Sequence, residues 1–215
     1  MEELIAAVKA GDVERVRGLV TDDPALAGAR DENGLPAILV ALFHRQRPVA
    51  ELLADAGAEV GVLEAAALGR PDRLRQLLAT DADALAVRTP EGFDPIGLAA
   101  FLGGPEAVRV LLEHGADPDG DPGNPLGVRP VHAAAAVQDH EALSLLLEAG
   151  ANPDVRQQGG FTPLHAAAHR DDVAMAQLLL DHGADPSLTT DDGRDAARIA
   201  ADDGAEGVAA LLAGR

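Results

Sequence analysis

The chain has no cysteine, tryptophan or tyrosine, and only one lysine (Lys9), two serines and four phenylalanines among 215 residues. Each shortage removes a class of chemistry. Without cysteine there are no disulfides and no thiolate metal sites. Without large rings a core must be assembled from Ala, Leu and Val, which favours closely packed helices. Nucleophiles are few: neither Ser144 nor Ser187 sits in a GxSxG turn, and no GxxxxGK phosphate loop occurs. Carboxylates are plentiful, so composition alone leaves an Asp/Glu acid–base pair open. Their placement in turns and at helix starts reads instead as capping and solvation. Positive charge is short as well, 17 Lys and Arg against 36 Asp and Glu, for a net charge of −19. Such a surface repels phosphate backbones and anionic lipids, so neither nucleic acid nor a membrane is expected as a partner. It suits plain solubility or the steering of a basic protein. Long apolar runs are missing too: "GLPAILVALF" (Gly34–Phe43) is the longest uncharged one, about half a membrane span. The start, "MEELIAAVKAGD", lacks the features of a signal peptide. A cytoplasmic location is expected. With 47% hydrophobic and 25% charged residues, the chain reads as globular rather than disordered.

What is present is a repeat. "LLDHGADPS" (Leu179–Ser187) matches "LLEAGANPD" (Leu146–Asp154), "LLEHGADPD" (Leu111–Asp119) and, one residue longer, "LLADAGAEV" (Leu52–Val60). The turn glycines Gly57, Gly115, Gly150 and Gly183 are spaced by 58, 35 and 33 residues. "TPLHAAA" from Thr162 matches "RPVHAAA" from Arg129, again 33 apart; "DPIGLAA" at Asp94 and "PAILVAL" at Pro36 fill the same slot. Thr162 suits a helix N-cap, and Pro163 the first helical position, where its missing N–H needs no partner. A short Ala-rich helix, a turn at "RDD" and a second helix, "VAMAQLLLDH", with apolar residues at helical spacing follow. Gly183 ends that helix, since glycine tolerates the left-handed conformation. One such unit cannot bury its apolar face, so the units must stack.

On these residues the sequence resembles the ankyrin repeat family. The resemblance is strongest in "GFTPLHAAAHRDDVAMAQLLLDHGADPS", good over Gly92–Asp119 and Gly127–Asp154, and looser elsewhere. It implies an all-α ankyrin-repeat solenoid of stacked antiparallel helix pairs with short β-hairpin loops. One domain, 1–215, would hold about six to seven repeats, at 1–29, 30–61, 62–88, 89–122, 123–156, 157–189 and a C-terminal cap at 190–215. Residues 62–88 and 4–30 carry both helices but lack the usual hairpin before them, which suggests a duplicated short-plus-full pair. The linker "GDPGNPLG" (Gly120–Gly127) reads as a distorted hairpin. The last unit loses TPLH, as end repeats often do.

His165 and His169 are four residues apart, the spacing of zinc hydrolases, but no Glu follows His165 and no third ligand is indicated. His132 lies 33 residues before His165, and a residue that recurs with the scaffold belongs to the scaffold. The resemblance implies that this ring hydrogen-bonds backbone and knits adjacent repeats. Thr162, Pro163, His132 and His165 are therefore structural, and neither a metal nor a cofactor is expected. His114 and His182, next to helix-ending glycines, suit the negative ends of helix dipoles.

The resemblance also places binding on the concave face, at the hairpin tips and the ends of the first helices. Aligned on the turn glycines, all four phenylalanines fall there. Phe93 and Phe161 follow Gly92 and Gly160, while Phe43 and Phe101 end first helices, as does His169. Beside them lie Leu35, His44, Leu102, Val128, Val137 and Arg170. Aromatics confined to outward positions suggest a binding patch; the alternative is that they fill gaps between hairpins. Arg70, Arg73 and Arg75 read as a solvated face. The expectation is a monomeric, non-catalytic interaction module, adaptor or inhibitor, holding a protein partner to which basic charge would be suited. The alternative is an enzyme or small-ligand binder with a carboxylate-lined pocket near the 120–127 insertion. Converging carboxylates in a deep, closed pocket would favour it.

Overall fold

Apolar residues at three- and four-residue spacing form short helices that fold back on one another in pairs. A computed structural model describes residues 1–120 and 123–214; Asp121 and Pro122 of the linker, and Arg215, lie outside the described residues. The helices are α1 (Glu2–Ala10), α2 (Val13–Asp22), α3 (Ala37–Phe43), α4 (Arg47–Asp55), α5 (Val62–Leu68), α6 (Pro71–Thr80), α7 (Pro95–Leu98), α8 (Pro105–Glu113), α9 (Pro130–Val137), α10 (His140–Glu148), α11 (Pro163–His169), α12 (Val173–Asp181), α13 (Ala196–Asp203) and α14 (Glu206–Ala213). A π turn over Ala99–Gly103 extends α7. The first helices stack in one layer, α1 on α3, α3 on α5, α5 on α7 and its π turn, then α9, α11 and α13. The second helices form the other layer, with α2 against α4, and α6, α8, α10, α12 and α14 in succession.

One continuous core fills the space between the layers. It is built from Ala, Leu, Val and Ile with one Met, and no phenylalanine is among its buried members. Ala on the first helices lets the layers approach closely, and leucines from the second helices fill the gaps. Many of the abundant carboxylates serve as helix caps. Asp12, Asp139 and Asp172 accept from backbone N–H groups in α2, α10 and α12, and Asp94 and Asp195 do so in α7 and α13.

The loops expected as hairpins are single-turn tips. Among the described residues no strand forms, and Arg30 and Pro36 make an isolated bridge. The reason is that each tip is a tight turn, held by a bond from its glycine N–H back to the first residue's carbonyl and closed by one more: Asp31 N–H to Leu35 O (2.9 Å), Thr89 to Phe93 (3.0 Å), Gln157 to Phe161 (2.9 Å) and Thr190 to Arg194 (2.9 Å). At the linker a side chain replaces that bond. Asn124 donates from Nδ2 to Val128 O (2.8 Å) and accepts from Val128 N–H through Oδ1 (2.9 Å). The tip glycines Gly34, Gly92, Gly127, Gly160 and Gly193 all have positive φ, where a side chain would be strained.

Between α4 and α5 no such tip exists, and a polar clamp spans the junction. The Arg47 guanidinium donates to Leu68 O (3.0 Å), Ala67 O (3.4 Å) and Leu102 O (2.6 Å). It thereby covers carbonyls that end α5 and the π turn. Arg70 pairs with Glu51 (2.5 Å), and Arg73 donates to Val60 O (3.1 Å). Two of the three arginines expected on a solvated face thus tie the junction together, because the missing tip leaves acceptors there; Arg75 pairs locally with Asp72.

Candidate functional site

On the side formed by the loop tips, the first helices present small residues. Gly97, Ala133, Ala136 and Ala166 floor a cavity of about 380 Å³. Its walls include the phenylalanines that the buried core omits. Phe43 comes from the end of α3, Phe101 from the π turn, and Phe93, Val128 and Phe161 from three successive tips, with Leu126 beside Val128. His169 and Arg170, at the end of α11, close one edge. Phe43 and Phe93 lie 6.1 Å apart between centroids, tilted by 44°. Phe161 meets the His165 ring edge-on at 5.9 Å. These rings are braced by neighbours, while Phe101 and Leu126 remain 40% and 50% exposed.

Seven of the residues expected on the binding face therefore meet around one cavity: Phe43, Phe93, Phe101, Val128, Phe161, His169 and Arg170. Four do not. Leu35 is only 5% exposed and belongs to the core; its N–H bonds to Asp31 Oδ1, as that of Phe93 does to Thr89 Oγ1. His44 is exposed just beyond α3, and half-buried Leu102 gives its carbonyl to Arg47. Val137, 43% exposed, ends α9 outside the lining. Sequence reasoning missed Asp94, Asn124, Leu126, Arg129 and Gln157, which also line the cavity. The signal for Asn124 and Leu126 was the irregular linker itself. Asp94 and Arg129 stand in the N-cap slot that Thr162 occupies in the third copy.

The polar groups at the base of this cavity are engaged within the protein. Asp94 is the one carboxylate among the described lining residues, and its Oδ1 accepts from Gly97 N–H at 2.7 Å. Arg129 donates to Asp119 O (3.3 Å) and Gly120 O (3.2 Å). Converging carboxylates are therefore not what lines it; the surface is apolar with internally bonded polar atoms.

His132 and His165 join successive pairs. His132 Nδ1 accepts from Arg129 N–H (3.2 Å), which puts the ring proton on Nε2, facing Val155 O (3.1 Å) and Phe161 O (3.3 Å). His165 Nδ1 accepts from Thr162 N–H (3.0 Å) and lies 2.9 Å from the Thr162 hydroxyl, while Nε2 faces Leu188 O at 3.0 Å. Burial pushes the His132 pKa down to about 4, against the raising effect of its two carbonyl partners. Burial lowers His165 as well. Both rings are neutral cross-links at neutral pH. His169 turns the other way, to Asp203 Oδ2 at 2.6 Å. The two histidines share a helix but diverge, and among the described residues no group of three or more His, Asp or Glu converges as a metal site. His114 and His182 each direct Nδ1 to the carbonyl four residues back, Val110 (2.8 Å) and Leu178 (2.9 Å).

In α5 the position equivalent to these rings holds Glu64, buried at 8% exposure. Burial pushes its carboxyl pKa up, opposed by hydrogen bonds from its own N–H and that of Gly61. It borders a second, more polar hollow of about 490 Å³ between the loops at 27–30 and 87–90. Asp172 behaves oppositely. Burial raises it, but bonds from Met175 N–H (3.0 Å), His140 (2.8 Å) and Gln138 (3.2 Å) outweigh that and hold it below the ordinary carboxylate range.

No helix among the described residues is long and apolar enough to cross a membrane. No curated protein matches the chain. A family model described as ankyrin repeats matches residues 62–157 and 131–215. The match spans most of the chain, and the helix pairs, tip turns and histidine cross-links recur in the same phase. The chain belongs to the ankyrin repeat family.

Proposed function

We propose that this protein is a non-catalytic interaction module, adaptor or inhibitor, that holds a protein partner on the face formed by its loop tips and first helices. Ankyrin repeats are generally protein–protein interaction modules, so the finer question is where this one binds. The observation that carries the reading is the placement of phenylalanine. The core uses none, and all four line one apolar cavity spanning four helix pairs. Preplaced aromatic walls lose little entropy on binding and make strong anchors. The rings come from three of the sequence units, Phe43 from 30–61, Phe93 and Phe101 from 89–122 and Phe161 from 157–189, with Val128 of the unit at 123–156 beside them. The net charge of −19 speeds the approach of a basic partner.

Capture from a lysate of the source cell tests the reading, comparing the natural chain with a Phe93→Ala, Phe101→Ala, Phe161→Ala variant that keeps its helical circular dichroism. A protein held by the natural chain alone supports it. Equal capture by both places the binding surface elsewhere. A second reading, a small apolar ligand, rests on the cavity's volume of about 380 Å³, which lies within the range of small-molecule sites.

A further inference from the structure

The cavity has an apolar interior and one charged group at its edge that is left without a partner. Its inner polar atoms are occupied: Asp94 by Gly97 N–H, Asn124 by the Val128 backbone, and His132 by three backbone groups. Whatever enters the interior must therefore be apolar, since a polar group there would lose its water and gain no bond.

The edge differs. Arg170 is exposed at the end of α11, and among the described residues it has neither an ion pair nor a side-chain hydrogen bond. This is notable in a chain with 36 acidic and 17 basic residues. The carboxylate next to it in sequence and the one paired with its neighbour His169 are committed elsewhere. Asp171 accepts from Val208 N–H (2.8 Å) and Gly207 N–H (3.4 Å) at the start of α14, and Asp203 is bonded to His169. The side-chain amide of Gln157, which also lines the cavity, makes no bond among the described residues. A guanidinium and an amide thus stand free at the mouth of an apolar slot. The acidity of the whole chain does not cancel this local preference. Charges more than about 8 Å away are largely screened at physiological salt, whereas a guanidinium contacts a carboxylate directly and with two parallel hydrogen bonds.

We infer that the slot receives an aliphatic or aromatic side chain of a partner peptide that carries a carboxylate within two residues of it, the apolar group seated among the phenylalanines and the carboxylate on Arg170. This rests on the protein-binding reading above and specifies its recognition element. Overall basic charge on the partner governs encounter; the acidic residue beside the anchor governs fit.

Selection of displayed random 12-residue peptides on the folded chain tests it, followed by affinity measurement with the enriched peptides. Enriched sequences are expected to share a bulky apolar residue with Asp or Glu within two positions. Replacing that acid by its amide, or making Arg170→Glu in the protein, is expected to weaken binding about ten-fold or more, and Arg170→Lys to retain part of it. Arg170 is exposed and outside the core, so these variants leave the fold intact. Enrichment of peptides with Lys or Arg beside the anchor, or affinity unchanged by Arg170→Glu, would overturn the inference. If those same peptides lose binding on Phe101→Ala, the interaction reading stands while the acidic-neighbour inference fails. If no peptide is enriched and 3-phenylpropionate alone perturbs the amide signals of the cavity residues, both fall in favour of a small ligand.

Discussion

Acidifying the protein from about pH 7.5 to about pH 5 is expected to weaken its fold by about 2 kcal/mol through His132 alone. The ring is 5% exposed, accepts at Nδ1 from backbone N–H and donates at Nε2 to backbone carbonyls. A second proton would have to enter at Nδ1 and face the Arg129 N–H. Burial accordingly holds the folded pKa at about 4 against 6.5 in the free side chain. Above pH 6.5 both states are neutral and the cross-link contributes fully. As the pH falls below 6.5 the unfolded chain takes up a proton that the folded one refuses. Stability declines until about pH 4, where the folded ring protonates too. At about pH 5 the unfolded ring is nearly all protonated and the folded ring nearly all neutral, which gives the figure above. His165 acts in the same direction. Urea unfolding followed by circular dichroism at both pH values measures the loss. The comparison with His132→Gln isolates it, because the many carboxylates titrate alike in both proteins. The variant starts less stable, and the gap should narrow by about 2 kcal/mol on acidification. An identical pH dependence in both would show that the ring is not held neutral, and the account of the cross-link would be wrong.

Arg47→Ala is expected to cost about 1–3 kcal/mol, since it strips donors from carbonyls at the ends of α5 and the π turn; thermal unfolding reads this directly, and an unchanged melting temperature would make the clamp incidental. Gly103→Ala should destabilise by about 1–3 kcal/mol or more, because its methyl would overlap the Ala66 carbonyl oxygen, a backbone atom that cannot swing away. Glu64→Gln should stabilise the protein at neutral pH. The buried carboxyl has a raised pKa, so its ionised form is penalised in the fold and relieved as the pH falls through that value. The advantage of the amide should therefore shrink in acid, and an advantage independent of pH would contradict the assignment.

The parts of the fold set by periodic local chemistry were legible in the sequence. The 33-residue recurrence of "HAAA" and the spacings of 35 and 33 between the GADP and GANP turns reflect helix starts and glycine turns shared by the units and a histidine cross-link shared by two of them, and family membership follows from them. The phenylalanines were legible as outliers, because a core of small aliphatics gives a ring no place inside. Where the period breaks, sequence said less. The π turn after Leu98 depends on how Gly103 meets Ala66 in another pair, and nothing local in "PIGLAAFLGG" announces that contact. Leu35 shares the outward slot of Val128 and lines up beside Phe93 and Phe161. The tip bonding does not distinguish it, since Thr89 and Asn124 accept from the Phe93 and Val128 N–H groups just as Asp31 accepts from that of Leu35; Leu35 is nevertheless buried where Phe93, Val128 and Phe161 are only partly so. Glu64 stands in the slot that holds His132 and His165 in two later units, and only the structure of the tipless junction shows that it is buried.

The same bookkeeping of polar groups explains why the candidate site is one place rather than a whole face. A stacked array must satisfy its own loop carbonyls and helix ends, and this chain does so with side chains that would otherwise be free to bind: Asp94, Asn124, Arg129, His132 and Arg47 all turn to backbone. Satisfied groups stiffen the walls but offer a ligand little. In the proposed reading, recognition falls to what the scaffold does not use, the phenylalanine rings absent from the buried core and the Arg170 guanidinium, which no acid meets among the described residues. A site assembled from such leftovers can change its specificity by one rim substitution at little cost to the fold. Arg170→Glu, which should reverse the charge preference beside the anchor while leaving the unfolding free energy within about 1 kcal/mol of the natural chain, separates recognition from stability most cleanly.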